Sequence, residues 1–281
     1  MSEVSKIGKE IAPVLKWVGG KRQLLDEIVS RIPDFTEYIE PFAGGAAVLL
    51  HLCPSRALLN DSNSELMNVY STIKQAPALL IKKLEAHANN HSEEYFYKVR
   101  ALDRDKAYKD LSPAHRAARI LYLNKTCFNG MFRVNSSGEF NVPCGRYKNP
   151  QIVNSASINA LSRYLNENDV RLLNTDYKKA LTGLTSGCFV YLDPPYAPIS
   201  PSSSFTGYTE NGFTLKAQNE LKSVCDDLTD RGIKFMESNS NSDYIRELYK
   251  DYNISTVKAR RALNSQAAKR GEIDELLITN Y

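Results

Sequence analysis

Asp193-Pro194-Pro195-Tyr196 sets a carboxylate, a proline-stiffened backbone and an aromatic ring within four residues. The carboxylate accepts hydrogen bonds, the prolines fix where the intervening carbonyl points, and the ring offers a flat wall. Together these suit an aromatic amino group. The exocyclic NH2 of a nucleobase is a poor nucleophile because its lone pair is delocalised into the ring. Asp193 on one N–H and the Pro194 carbonyl on the other would favour the pyramidal form and free that pair, with Tyr196 stacked on the base. A strand that merely ends in a turn, with Asp193 as a cap, would use the same residues and do no chemistry. The surroundings decide between them.

The apolar run from Cys188 to Leu192 reads as a buried strand that breaks on the prolines, so Asp193 is expected at its end. Upstream, Thr36 to Ile39 reads as a short strand. It is followed by Glu40-Pro41-Phe42-Ala43-Gly44-Gly45-Ala46 and an apolar helix to Leu52. Strand, glycine loop and helix form the nucleotide-binding opening of a doubly wound α/β fold. The dinucleotide fingerprint G-x-G-x-x-G does not fit, because Phe42, Gly44 and Ala47 stand at its glycine places. This disfavours a nicotinamide cofactor, and a ligand without a pyrophosphate would relax the demand. Ala57 to Leu59 reads as a second strand delivering Asn60-Asp61, where such folds hold ribose hydroxyls.

Earlier still, Lys16-Trp17-Val18-Gly19-Gly20-Lys21-Arg22 reads as a glycine turn opening a helix that runs through Leu24, Leu25, Ile28 and Ile32 to Pro33. Its two glycines permit close approach to a ligand, and Trp17, the only tryptophan, is offered in a loop. From Ser64 to about Ser155 the pattern changes to successive helices, an insertion in the α/β frame. Pro113 to Asn124 is its clearest helix, with Arg116 and Arg119 expected off the apolar face. After it come Cys127-Phe128-Asn129-Gly130-Met131-Phe132-Arg133, a hairpin-turn signal at Ser136-Ser137-Gly138, and Phe140-Asn141-Val142-Pro143. Exposed Phe, Asn, Met and Arg beside a basic hairpin suit base reading and intercalation; a buried hairpin with ordinary aromatics fits the same residues.

The α/β pattern then resumes. Val170 to Leu173 is a strand leading to Asp176, Thr214 to Arg231 a helix, and Ile233 to Met236 a strand running into Glu237-Ser238-Asn239-Ser240. Strands at Ile254 to Val257 and Ile273 to Thr279 close the sheet. The Ser- and Pro-rich loop at 199–208 is long enough to act as a lid.

A chain of 281 residues, 42% hydrophobic, supports a sizeable core. Its longest apolar runs are too short to cross a bilayer and its first ten residues are polar, so a soluble, cytoplasmic protein is expected. The five cysteines lie far apart and the four histidines add no ligand spacing, so reduced thiols and no metal are expected. The net charge is +4, unevenly spread. From Pro113 to Lys148, Arg116, Arg119, Lys125, Arg133, Arg146 and Lys148 stand against Glu139 alone. From Lys258 to Arg270 there are five more bases and no acid, which leaves the rest of the chain net negative. Two basic segments in an otherwise acidic chain point to a polyanion-binding face, although a charge run can also be plain solvated surface.

With these motifs in this order, from about Val14 to the C-terminus, the chain resembles the Dam-type DNA adenine methyltransferases, a group that includes the DpnII modification methylases. The run Phe140-Asn141-Val142-Pro143-x-Gly145-Arg146-Tyr147-Lys148 carries the resemblance as much as Asp193-Pro194-Pro195-Tyr196 does. The order, with the recognition insert before the catalytic tetrapeptide, is similar to the alpha class of amino methyltransferases. The resemblance implies an α/β, Rossmann-like methyltransferase sheet formed by residues 1–63 and 156–281. Residues 64–155 would be a mostly helical target-recognition domain carrying a β-hairpin.

It further implies S-adenosylmethionine as cofactor, bound by Trp17, Lys21, Glu40, Phe42, Gly44, Asp61, Asp176 and Asp193, with Asp61 on the ribose and Asp176 on the adenine. Asp193, Pro194 and Tyr196 would be catalytic. Double-stranded DNA would be met by Lys16, Phe128, Asn129, Met131, Arg133, Pro143, Arg146 and Lys148. Of these, Lys16, Met131, Arg133 and Pro143 match positions that read GATC in the family. Phe128 stands where a tyrosine wedge is usual, and Cys144 replaces an aromatic, which bears on fine specificity. The enzyme would flip adenine from the duplex and methylate N6, as a bacterial or phage-encoded monomer with no obligatory protein partner. Two alternatives stay open: an amino methyltransferase acting on cytosine N4, RNA or glutamine, and a catalytically silent DNA-binding module.

Overall fold

A computed structural model describes residues 11–197, 213–260 and 272–281. The strands β1 (Glu37–Glu40), β2 (Arg56–Asn60), β3 (Asp169–Leu173), β4 (Cys188–Leu192), β5 (Lys234–Ser240), β6 (Asn253–Arg260) and β7 (Glu272–Thr279) form one sheet. Their order is β3-β2-β1-β4-β5-β7-β6. The first five are parallel, while β7 runs antiparallel to both β5 and β6. The expected α/β class is present, and this order is consistent with a methyltransferase sheet.

Burial explains the composition of the central strands. Every residue of β1 and β4 is buried, because helices cover both faces of the parallel sheet. Alternate residues feed two cores: Tyr38 and Phe189 join one, Ile39 and Val190 the other. At the edge, β3 is more exposed and more polar.

The chain leaves β1 toward β2 on one side and returns with β4 on the other. A crevice therefore opens at the carboxyl ends of β1 and β4, where open α/β sheets place ligands. Asn60, fully buried at the end of β2, ties this edge together. Its amide donates to the carbonyls of Pro41 and Thr175 at 3.0 and 3.1 Å and accepts from Thr175 N at 3.0 Å.

The helices are α1 (Leu25–Val29), α2 (Ala47–Leu52), α3 (Ser64–Gln75), α4 (Pro77–Asn89), α5 (Glu93–Ala101), α6 (Pro113–Thr126), α7 (Ser155–Glu167), α8 (Tyr177–Ala180), α9 (Leu215–Asp230) and α10 (Asp243–Leu248). Sequence signals set several boundaries. Asn63, Ser92, Asn154 and Thr214 cap α3, α5, α7 and α9 with their side chains, while Pro77 and Pro113 open α4 and α6. The first helix is shorter than its spacing predicts. A 3-10 turn at Lys21–Gln23 precedes it, and Pro33 disfavours helical backbone at Ile32.

Between β2 and β3 the chain is helical, as expected, and its apolar faces run into the same core as Tyr38 and Leu59. The hairpin at Ser136-Ser137-Gly138 is held by a Val134–Phe140 bridge, and Cys127 pairs with Cys144 behind it. No helix among the described residues is long and apolar enough to cross a membrane. The expected lid at 199–208, and most of the second basic segment, lie outside the described residues.

Candidate active site

Asp193 follows the last residue of β4 and opens onto a cleft of about 1720 Å³. Its side chain is 22% exposed, and Oδ1 lies 2.7 Å from the Lys21 ammonium. Ser238 Oγ donates to the same oxygen at 3.1 Å and is itself 3.1 Å from the Tyr191 hydroxyl. Burial pushes the Asp193 carboxyl above its ordinary pKa, and Lys21 opposes that rise.

The loop after Asp193 is fixed from β5 and α9. Gln218 Nε2 donates to the Pro195 carbonyl at 3.0 Å, Ala197 N donates to Asn239 Oδ1 at 3.3 Å, and Ser240 Oγ donates to the Ala197 carbonyl at 2.8 Å. Asn239 in turn bridges Gln218 and Glu237. The polar run from Glu237 to Ser240, fully satisfied inside the sheet, thus braces the Asp193-Pro194-Pro195-Tyr196 loop. Tyr196 points its ring at Lys21, whose Nζ is 4.8 Å from the ring centroid.

The second wall of the cleft is the glycine loop. Asp61 accepts from Gly44 N at 3.1 Å and from Asn63 N at 2.9 Å, so it shapes the loop as well as facing the cleft. Gly44 has φ +46°, and a Cβ there would come within 2.8 Å of Trp17 Cδ1. Trp17 is half-buried rather than free in a loop: it stacks on Phe132 with centroids 4.8 Å apart. Glu40 is buried, accepts from Tyr38 and from Leu49 N, and burial raises its pKa to about 8. Phe42 packs on Tyr177 at 5.0 Å and edge-on to Phe213 at 6.1 Å. This makes an aromatic slot beside Asp176, which is exposed and caps α8.

The third wall comes from the helical insert. Phe128, 49% exposed, Asn129 and Met131 line the same cleft as Asp193. Asn129 adopts left-handed backbone with φ 57°. Buried Asn124 joins this segment to the N-terminal turn. Its Oδ1 accepts from Lys16 N at 2.8 Å, and its Nδ2 donates to the carbonyls of Lys16 and Gly130. Lys16, Pro143, Arg146 and Lys148 are exposed outside the cleft, and Arg133 is held by Asn141 Oδ1 at 2.7 Å.

The expectation that Arg116 and Arg119 both lie off the apolar face needs correction. Arg119 is 2% exposed, pairs with Asp103 at 2.7 Å and donates to the carbonyls of Val99 and Arg100. Arg116 sits beside Glu65. Asp103 and two carbonyls claim the Arg119 charge and half-exposed Glu65 offsets that of Arg116, so the polyanion-facing charge of this segment is smaller than its residue count.

Residues 17–263 match the family profile of the D12 class N6 adenine-specific DNA methyltransferases. The chain belongs to that family. The methyltransferase is 43% identical over 282 residues to the Type II methyltransferase M1.LlaDCHI of Lactococcus lactis subsp. cremoris, covering 100% of this chain and 99% of the relative. It is 39% identical to the Type II methyltransferase M.MjaIII of Methanocaldococcus jannaschii, covering 97% and 100%. It is also 35% identical to the DNA adenine methylase of Escherichia coli, covering 94% and 93%. The protein is therefore an adenine-specific DNA methyltransferase, and DNA is what it acts on.

Several residues in or behind the cleft of the methyltransferase carry no motif. Ser238 and Gln218, behind it, brace Asp193 and the loop that follows; Tyr177 and Phe213 complete the aromatic slot, and Glu275 meets Tyr196. Only the polar run at the end of β5 gave any signal of this, since four polar residues closing a buried strand must be satisfied by something.

Proposed function

We propose that the protein transfers the methyl group of S-adenosylmethionine to N6 of adenine in double-stranded DNA, within GATC, after flipping the base into the cleft. The observation that carries the reading is Asp193 at the end of β4, in one cleft with the glycine loop and with exposed Phe128 and Asn129. We assign residues 64–155 as the recognition domain and the remainder as the catalytic one.

The cleft fits the cofactor by its own chemistry. Asp61 offers a carboxylate for vicinal hydroxyls, and Phe42, Tyr177 and Phe213 form a slot for a flat heterocycle. The Tyr177 hydroxyl is buried with no hydrogen-bond partner, which suits a ligand edge. Trp17, Lys21, Glu40, Gly44 and Asp176 complete the wall. When bound, S-adenosylmethionine supplies a methyl group already activated on a sulfonium.

The chain's own residues do the rest. Phe128 enters the stack as adenine leaves, at a cost of a few kcal/mol, and Asn129 attends the orphaned thymine. Lys16, Met131, Arg133 and Pro143 read the site, while Arg146 and Lys148 hold phosphates. Asp193 and the Pro194 carbonyl take the two N6 hydrogens; the Pro195 and Ala197 carbonyls are already taken by Gln218 and Ser240. Tyr196 stacks on the ring. Positioning contributes most of the acceleration, because no proton need be abstracted before attack.

The test incubates the protein with S-adenosylmethionine and adenine-unmethylated plasmid. Digestion follows with one nuclease blocked by, and one dependent on, N6-methyladenine in GATC. Protection from the first and cutting by the second is the expected result. N6-methyladenine by nucleoside mass spectrometry without either effect would mean another target sequence, and its absence would overturn the reading.

A further inference from the structure

We propose that Glu275 is a positioning residue for methyl transfer, fixing the Tyr196 ring and enriching its face for the positive charge that passes to the adenine amino nitrogen. This rests on the function proposed above. Glu275 lies on β7, opposite Ser240 of β5, and lines the cleft half-buried. The Tyr196 hydroxyl donates to its Oε2 at 2.6 Å. That contact joins the catalytic tetrapeptide to the antiparallel end of the sheet.

A tyrosine ring has one polar handle, and here a carboxylate holds it. Hydrogen bonds to an ionised acceptor are short and about twice as strong as neutral ones, so the ring is set as a fixed wall. Burial, with Asp193 and Glu275 close by, pushes the Tyr196 pKa well up and keeps the hydroxyl a donor. A phenol that donates to a carboxylate gains electron density in its ring, and an electron-rich face attracts cations.

The structure already holds a cation there. The Lys21 ammonium lies 2.7 Å from Asp193 Oδ1 and 4.8 Å from the Tyr196 centroid. A nitrogen bearing positive charge is therefore accommodated by the two groups that N6 would meet. In the transfer N6 forms a bond to the methyl carbon while the carbon–sulfur bond breaks and leaves its electron pair on sulfur. The positive charge thus moves onto N6 until a proton departs to water. An electron-rich Tyr196 face stabilises that charge more than it stabilises neutral adenine, which is the condition for acceleration.

A brace that only pins β7 to the loop would make the same hydrogen bond. The two roles separate in whether the transfer rate moves or only melting and KM do, and a double-mutant cycle with E275Q, Y196F and the double variant tests that Glu275 acts through the Tyr196 hydroxyl. It is read by single-turnover methylation of a duplex oligonucleotide, with thermal melting and KM for DNA and cofactor measured alongside. E275Q is expected to slow transfer about tenfold, the effect of losing one charge-assisted hydrogen bond, with KM values little changed. Added to Y196F it should do no further harm. If E275Q does not fold, E275D runs the same cycle. Full-rate transfer by the Glu275 variant, or independent multiplicative losses in the double variant, would overturn the role of Glu275 and leave the function standing. A wild-type protein that makes no N6-methyladenine would instead overturn the function on which this rests.

Discussion

The Lys21 ammonium lies 2.7 Å from Oδ1 of Asp193, and the two side chains are only 4% and 22% exposed. Lys21 comes from the first glycine turn and Asp193 from the end of β4, so only tertiary folding brings them together. Both charges are kept out of bulk water, where one without the other is costly.

On the proposed mechanism this pair sets an acid limit on activity. Asp193 would act there as a carboxylate, and burial already raises its pKa while Lys21 holds it down. Because the shift is upward, the rate falls as pH drops through the raised value. Lys21→Met removes the opposing charge and should move the acidic limb of the single-turnover profile to higher pH. An unmoved limb would assign it to another group. Asp193→Ala should cost a hundredfold to a thousandfold or more, about the loss from removing a preorganised hydrogen-bonding group.

Gly44 is constrained twice. Its φ of +46° disfavours a side chain, and a Cβ would press to within 2.8 Å of Trp17 Cδ1. Gly44→Ala should destabilise the fold by about 1–2 kcal/mol. It should also weaken cofactor binding, because the loop and Trp17 share one wall. Calorimetric titration with S-adenosylmethionine checks this, and unchanged affinity would separate the loop from the cofactor.

The tetrapeptide, the glycine loop and the places of the strands along the chain were legible because each leaves a local mark: an apolar run, a pair of prolines, a pair of glycines. Glu275 and Gln218 were not, since their roles arise from pairing across the sheet between segments far apart in sequence. Arg119 was misread for the same reason. Its residue type points to a surface, while Asp103 and two backbone carbonyls on the preceding helices make an interior site for it. Trp17 looked like an offered ring until Phe132, from the insert, closed over it.

Phe128 supports almost nothing in the free protein, being 49% exposed. Phe128→Ala should leave stability within about 0.5 kcal/mol, as for most surface changes. Base flipping should suffer instead. A duplex carrying 2-aminopurine at the target adenine should show a smaller fluorescence rise with the variant than with the wild type. An equal rise would remove Phe128 from the wedge.

Lys148 is exposed outside the cleft, on the segment that follows the hairpin. If it meets a phosphate, Lys148→Ala should weaken binding evenly across sequences and reduce the slope of log K against log salt by about 1. Fluorescence anisotropy with matched and mismatched duplexes at several salt concentrations measures both. A flat salt response in the wild type would argue against phosphate contacts altogether.

Glu40 makes a prediction about stability. It is 3% exposed, and burial raises its pKa from the ordinary 4.5 to about 8, although Tyr38 and Leu49 N donate to it. The folded protein therefore keeps a proton on Glu40 over a pH range in which the unfolded chain has lost it. Proton linkage then requires stability to fall as pH rises from about 4.5 to 8, by an amount on the order of a few kcal/mol. Glu40→Gln, neutral at every pH and able to accept the same hydrogen bonds, should remove that part of the slope and be the more stable form at pH 8. Urea unfolding of both proteins at pH 5 and pH 8, without ligand, gives the comparison. Parallel pH dependences would show that Glu40 titrates alike in both states.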